Sequence, residues 1–376
     1  MGLKNKTIAK AFLRERYKKS KKRKIAHDVA YVTDWDIMFN GVFQTSQVGC
    51  GDLMSKIQAN FIKDMNQLKE MHLQDGAKVR EVLFLLTYRE TRSGYMARKK
   101  KTTDERTKNG FSAAETAERG PFDTWKPVSP EEDDRARHTS AYKIWCFEQT
   151  FKAFEAQLAA DLKAKTITDS LGIERIHFVG FQGTYSVYDT DGNVQTYMMT
   201  GAGEADVHFY NIPEFEALQK KFCIVLKSTD TDAFVIGTSL PRAWTFEHGF
   251  FLDNGLYQKA RSETEPAKYL WLDMKKARDD TSVDWSLFGL CCVLSGTDYS
   301  HTICTSSDML GYMARIRHER AICPDQPLLA FINNKIEAMP VKVPRKRRDG
   351  SSPPPKPRPE ADDVVWNLEY WKNDYS

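Results

Sequence analysis

The sequence lacks the features that mark membrane proteins, disulfide-rich domains and zinc sites. It has no run of about 18 apolar residues, which excludes a membrane-spanning helix. The basic N-terminus is followed by no apolar stretch long enough for a signal peptide. The 7 cysteines are scattered without a CxxC pair, so neither a zinc site nor a disulfide framework is indicated. We therefore expect an intracellular protein with free thiols and no membrane partner.

Several common enzyme signatures are also missing. No GxSxG, P-loop or HExxH sequence is present, so the nucleophile elbow, the phosphate-binding loop and the zinc-protease helix are not indicated. Hydrophobic residues make up 41% and aromatic residues 12% of the 376 residues, which is enough for a sizeable core. The length predicts two domains, or one domain with large insertions.

Positive charge is concentrated in a few segments. The first 25 residues contain eleven Lys or Arg and one acid, and because the whole chain has a net charge of +4, the remainder carries −6. Further basic blocks lie at 89–108 and 344–348, and the last precedes a Pro-rich stretch at 353–359. Basic clusters on an acidic body indicate a polyanion partner and an acidic centre elsewhere. The alternative for each run is a solvated tail or helix face.

Apolar runs alternate with helical periodicity along much of the chain. The short runs are interpreted as strands, and they are Val29–Thr33, Val82–Leu86, Ile176–Val179, Phe222–Leu226, Ala233–Ile236 and Leu290–Leu294. Residues 53–72 and 141–165 have helical periodicity, and Asp191-Gly192 predicts a hairpin turn within 185–198. This alternation predicts an α/β fold with a mostly parallel central sheet flanked by helices.

Shifts in composition and charge divide the chain into segments. We expect a basic N-terminal arm at 1–25, a core in two parts at 26–91 and 141–340, a basic insertion at 92–140, a basic Pro-rich linker at 341–362 and a hydrophobic tail at 363–376. The insertion is too long for an ordinary loop, which indicates a functional or a disordered segment.

Acidic residues follow the apolar runs. They are Asp34 and Asp36, Glu204 and Asp206, Asp230 and Asp232, and Asp298. In a parallel sheet the carboxyl ends of the strands meet at one edge, where ligands bind. Carboxylates that converge there repel one another unless divalent cations neutralise them, and oxygen ligands suit Mg²⁺ or Mn²⁺. The alternative for any single Asp is a helix N-cap.

Three of these acidic segments together resemble a known family. Gly203–Asp206, Ser228–Asp232 and Ser295–Tyr299 are similar, in that order, to the nuclease motifs of the flap-endonuclease/XPG family, and 34–40 is similar to its first motif. The resemblance spans roughly residues 25 to 300. It implies a PIN-like 5′ nuclease fold that binds two Mg²⁺ or Mn²⁺ ions. The catalytic, metal-binding acids implied by it are Asp34, Glu204, Asp206, Asp230, Asp232 and Asp298. An alternative alignment makes Asp28 the first acid.

The segment 93–99 resembles the start of the helical arch of that family. The resemblance implies that Arg92, Arg98, Lys99 and Lys100 bind the nucleic acid. Two features depart from the family. Leu86-Thr87-Tyr88 stands where an Asp is expected, with Glu90 nearby, and 300–317 contains a single glycine, Gly311, where the family has a Gly-rich helix-turn-helix. Both DNA and RNA therefore remain open as substrates.

The sequence supports more than one function. The first hypothesis is a metal-dependent nuclease that hydrolyses phosphodiester bonds of DNA or RNA. The alternatives are an inactive nucleic-acid-binding scaffold on the same fold and a metal-dependent phosphatase. The basic run at 344–348 indicates a nuclear protein. The apolar segment Val364–Trp371 is either a peptide that binds a protein partner or an element that packs on the body.

Overall fold

The computed structural model describes about two thirds of the chain. The described residues are 12–13, 16–19, 24–46, 52–87, 108–199, 205–229, 232–240, 243–258, 268–294, 313–314, 317–318 and 321. They fall into two compact units. The larger unit comprises Lys18–Thr229 and Arg242–Lys275, and the smaller unit comprises Met1–Tyr17, Asp230–Pro241 and Lys276–Ser376.

The larger unit is built on a sheet of nine strands. In chain order these are β1 (Lys18–Lys19), β2 (Val29–Asp34), β3 (Val79–Leu85), β4 (Arg175–Val179), β5 (Thr184–Asp189), β6 (Val194–Met198), β7 (Cys223–Lys227), β8 (Phe250–Gln258) and β9 (Lys268–Asp273). Their order across the sheet is β1-β9-β8-β7-β2-β3-β4-β5-β6. The five central strands are β8, β7, β2, β3 and β4, and each pairs in parallel with its neighbours in this group. The strands outside this group pair antiparallel.

Helices of the larger unit connect and cover these strands. They are α1 (Trp35–Phe43), α2 (Leu53–His72), α3 (Ala113–Glu118), α4 (Pro130–His138), α5 (Ser140–Lys163), α6 (Thr166–Leu171), α7 (Ala205–His208) and α8 (Phe215–Lys221). The fold class predicted from the sequence, an α/β protein with a parallel central sheet flanked by helices, is confirmed. Among the described helices, none is both long and apolar enough to cross a membrane.

Aromatic side chains fill the core between the sheet and two long helices. Phe84 of β3 has its ring centroid 5.4 Å from that of Phe61 in α2 and 5.1 Å from that of Phe154 in α5. All three are almost completely buried. Each buried aromatic side chain removes a large apolar area from water, so this layer supplies much of the stability of the larger unit.

The predicted hairpin is present. β5 and β6 pair antiparallel, and Gly192 in the turn has a φ of +82°. The carboxylate of Asp189 accepts the N–H groups of Asp191 and Asn193, at 3.0 and 2.9 Å. These bonds fix the turn, because a short acidic side chain replaces a backbone acceptor. The hairpin carries the chain from β4 out to the edge of the sheet and back toward α7.

The described part of the insertion is helical. Residues 108–140 contain α3 and α4, and Trp125 between them stacks on Tyr142 of α5 at 4.9 Å between ring centroids. Ser112 caps α3 in a capping box with Glu115. Thus the second half of this segment packs onto the larger unit through aromatic contacts. The first half, 92–107, lies outside the described residues.

The smaller unit contains a helix pair and an N-terminal segment. Among its described residues are helices α9 (Asp232–Ser239) and α11 (Trp285–Leu294), and α10 (Met274–Asp279) lies where the chain passes into this unit. Tyr17 packs between Phe234 and Trp285, and its hydroxyl donates to Asp280 at 2.7 Å. The predicted basic arm therefore contributes a buried tyrosine to the interior of this unit.

Two predicted strands are wrong. Ala233–Ile236 lies within helix α9. Leu290–Leu294 is the last part of helix α11. A short apolar run is equally compatible with a buried strand and a buried helix, and here Cys291 and Cys292 of the run are buried in a helix that packs against α9. Asp298 therefore follows a helix.

Candidate active site

The carboxylate best defined by the structure is Asp34. It ends β2, the strand that pairs in parallel with both β3 and β7. The side chain is 9% exposed, and its Oδ1 accepts the N–H of Ile37 at 3.2 Å, so it caps α1. The strand before Asp34 is the one that the sequence analysis predicted at Val29–Thr33. Asp34 thus lies at the carboxyl end of a central parallel strand, the position where ligands bind in open α/β sheets.

The residue after Asp34 fixes its backbone. Trp35 is completely buried, with its ring centroid 4.7 Å from that of Phe154 and 5.4 Å from that of Phe151. A buried tryptophan among aromatic neighbours has little freedom to move. The start of α1, and with it Asp34, is therefore held by the packing of the core.

The alternative first acid, Asp28, lies at the other end of the same strand. It precedes β2, accepts the N–H of Lys78 at 2.8 Å and accepts Nε of Arg80 at 2.9 Å. Burial alone would raise the pKa of Asp28, but the bonds from Arg80 and Lys78 outweigh it and hold this pKa below its ordinary value. Asp28 is engaged in an ion pair at the amino end of the strands, which does not suit it to the carboxyl-end site.

Asp206 lies on α7, a single helical turn that packs against β3. Its neighbours Ala205 and His208 are 2% and 3% exposed. The end of β3 itself bears the buried Leu86, whose N–H donates to the carbonyl of Val179 at the end of β4, at 2.8 Å. The larger unit thus brings the backbone of Asp206 to the same edge of the sheet as Asp34.

The end of β7 is tied to its neighbours. Ser228 is 2% exposed, and its N–H donates to the carbonyl of Asp253 in β8 at 3.0 Å. Lys227 forms an ion pair with Asp64 of α2. These bonds fix the strand end from which the chain continues to the predicted acids at 230 and 232.

Asp232 belongs to the smaller unit. It is the first residue of α9 and is completely buried. Burial raises the pKa of the Cys292 thiol well above its usual range, and the charges of Cys291 and Asp232 raise it further. At the other end of α9, Arg278 donates to the carbonyls of Gly237 and Leu240, at 3.0 and 3.1 Å.

Most other predicted site residues lie outside the described residues. These are Glu204, Asp230 and Asp298, the arch residues Arg92, Arg98, Lys99 and Lys100, and Glu90. Within the described ranges, no group of three or more His, Cys, Asp or Glu side chains is placed to hold a metal ion. In the larger unit the carboxylate of Asp34 is a hard oxygen ligand of the kind that suits Mg²⁺ or Mn²⁺.

Sequence reasoning missed two residues at this edge, Gly180 and His208. The ring of His208 lies against Gly180, which directly follows β4. Each residue lies next to a predicted feature in the sequence, since Gly180 directly follows an apolar run and His208 stands two positions after Asp206. Neither signal identifies the contact, because the residues are 28 positions apart in the chain.

Together these features define an α/β protein with a carboxylate at the carboxyl edge of its central parallel strands. The chain matches no protein-family model and no curated protein sequence. Among solved structures it is similar to human GEN1, crystallised in complex with Holliday junction DNA. The match has 13% identity and a TM-score of 0.37, and it covers 100% of this chain and 78% of that chain. Similarity this low is no evidence of a shared activity, and the fold described above rests on the strands and helices of the chain itself.

Proposed function

We propose that this protein is a metal-dependent nuclease that hydrolyses phosphodiester bonds of DNA or RNA. The observation that carries the proposal is the position of Asp34, a well-packed carboxylate at the carboxyl end of the central strand. The remaining acids proposed for the site are Glu204, Asp206, Asp230, Asp232 and Asp298. Bound there, two Mg²⁺ or Mn²⁺ ions would supply an activated water and stabilise the leaving oxygen of a phosphodiester.

The residues of the chain have separate tasks in this proposal. Asp34 is oriented before any ligand arrives, because Trp35 and the cap bond to Ile37 fix it. Preorganised charge of this kind costs no rearrangement during the reaction. Arg92, Arg98, Lys99 and Lys100 are proposed to hold the substrate phosphates, since basic segments bind single strands through the backbone.

A nucleic-acid-binding scaffold without activity is the second candidate. The observation that favours it is the end of β3, where the buried Leu86 stands in place of the acid expected there. Under this proposal the basic segments would bind the polyanion, and the acids would serve as helix caps and structural partners.

Substitutions at the two ends of β2 distinguish the nuclease from the inactive scaffold. The wild type, Asp34→Asn and Asp28→Asn are each incubated with Mg²⁺ or Mn²⁺ and labelled single-stranded, duplex and 5′-flapped DNA and RNA. Asparagine caps a helix as well as aspartate does, so Asp34→Asn removes charge while the fold is kept. For a nuclease we expect Asp34→Asn to lose at least about 100-fold in rate and Asp28→Asn to cut like the wild type.

Two results of this experiment would contradict the nuclease proposal. If Asp34→Asn cuts as fast as the wild type, the proposed site is wrong. If no protein cuts any substrate but all three bind nucleic acid in a salt-sensitive manner, the scaffold is supported and the nuclease is rejected.

A further inference from the structure

The contact between Gly180 and His208 has a geometry that only glycine permits. Gly180 has a φ of +100°. A Cβ atom added there would lie 2.3 Å from the carbonyl oxygen of Leu86 and 2.8 Å from Cδ2 of the His208 ring. Real Cβ atoms do not approach other atoms so closely. The ends of β3 and β4 and the ring of His208 are therefore packed without room for one more carbon.

The surface that receives the His208 ring is itself well fixed. Leu86 donates its N–H to Val179 at 2.8 Å, and Gly180 donates its N–H to Thr184 at 2.8 Å. These bonds hold the ends of the two strands together and close the turn after β4. The ring of His208 is 3% exposed, so it is enclosed as well as in contact.

The helix that carries His208 is too short to hold its own position. α7 has four residues, and isolated helices of this length are not stable in water. Its placement must come from tertiary contacts, and the residues that follow it, Phe209 and Tyr210, are also buried. His208 lies against Gly180 at the end of β4, two positions after Asp206.

We propose that His208 is a positioning residue, which by packing against Gly180 fixes α7 and thereby the backbone of Asp206 at the carboxyl edge of the sheet. This inference rests on the proposed function, in which Asp206 is one of the metal-binding acids. It assigns to His208 no contact with substrate or metal. Its role is to limit where the acid-bearing turn can lie, which sets how well the acids are arranged before a cation binds.

A matched pair of glycine substitutions tests the proposal in the full-length chain. Gly180→Ala places a methyl group into the contact. Gly76→Ala is the control, because Gly76 also has a left-handed backbone, with a φ of +92°, but its added Cβ would meet no atom within 4 Å. Both substitutions strain the backbone similarly, so a difference between them reports the crowding at Gly180 by the Leu86 carbonyl and the His208 ring together. His208→Ala, which leaves the backbone of both strand ends unchanged, reports the ring alone. The readouts are Mn²⁺ affinity by calorimetry and hydrogen exchange of the peptide 205–211.

We expect Gly180→Ala to weaken Mn²⁺ binding by about 10-fold or more and to speed exchange in 205–211, while Gly76→Ala stays within about twofold of the wild type in both. His208→Ala should act in the same direction, and it carries the test if Gly180→Ala does not fold. The double variant should lose less than the product of the two single effects, because both act on one contact.

Two results separate the inference from the function on which it rests. If exchange in 205–211 rises in Gly180→Ala and His208→Ala but Mn²⁺ affinity matches that of Gly76→Ala, the contact is merely structural and the inference is overturned. If the wild type binds no Mn²⁺ and cuts no nucleic acid, the proposed function has failed and the positioning role falls with it. The exchange data then still show whether the contact holds α7.

Discussion

The two ends of the parallel strands hold their carboxylates in different ways. At the amino ends, Arg80 binds both Asp28 and Glu174, and Glu81 lies between Arg175 and His177. At the carboxyl end of β2, Asp34 accepts a backbone N–H and caps a helix. A cation neutralises a carboxylate within the protein, whereas a backbone N–H orients it without supplying a full countercharge. The amino-end acids therefore stabilise the fold through ion pairs, and the cap bond to Ile37 orients Asp34, as the proposed site requires.

The largest effect on stability is expected at the amino half of the sheet, at Glu81. Its side chain is 4% exposed and lies 2.7 Å from Nε2 of His177, whose Nδ1 is 2.9 Å from the hydroxyl of Tyr185. Glu81→Ala would leave a buried imidazole without its carboxylate, at a cost of about 3 kcal/mol. Urea unfolding measures this. Glu174→Ala, on a side chain that is 51% exposed, is the control and should change stability by about 0.5 kcal/mol or less. Equal losses in the two variants would contradict the difference in burial.

A smaller effect on stability is expected at Asp34, and it depends on the substituted residue. Asp34→Ala removes the acceptor for the Ile37 N–H and should lower the free energy of unfolding by about 1 kcal/mol. Asp34→Asn keeps an acceptor and should stay near the wild type. Thermal unfolding of the two variants decides this. A large loss in Asp34→Asn would show that the charge of Asp34 stabilises the fold, which would erase the contrast between the two strand ends.

The smallest effect is expected at Asp28, and it depends on pH. Its folded-state pKa is lowered from 3.8, so its stabilising contribution is complete above about pH 5 and is lost as pH falls through the folded pKa. Because the ion pair is partly exposed, Asp28→Ala should cost about 1 kcal/mol or less at pH 7. The difference between Asp28→Ala and the wild type should therefore shrink as the pH falls through the folded-state pKa of Asp28. Chemical denaturation at a series of pH values measures it, and a difference that grows in acid would have the wrong sign.

The elements around Asp34 could be predicted because local and tertiary preferences agree there. Val29 to Thr33 favour a strand, and Asp34 favours a helix N-cap, so strand, acid and helix follow one another in the sequence. The same reasoning fails at Leu290–Leu294, where an apolar run of five has no local feature that separates a buried helix from a buried strand.

The contact of His208 with Gly180 could not be predicted for another reason. It depends on the path of the β5–β6 hairpin, which leaves the end of β4 and returns the chain to the same edge. Nothing local to Gly180 or His208 encodes that path. The sequence therefore proposes the acids of the candidate site, which recur in short segments, but it gives no sign of the packing at the end of β4.

The central pairing of the sheet also constrains the order of events during synthesis. Val29 of β2 lies opposite Cys223 of β7, roughly 200 residues later in the chain. At a translation rate of about 5 to 20 residues per second, β2 leaves the ribosome about 10 to 40 seconds before its partner exists. During that interval the edge of β2 that pairs with β7 presents unpaired backbone groups on a mostly apolar strand. The nascent chain therefore depends on the β2–β3 pair and its covering helices, or on chaperones, to avoid aggregation.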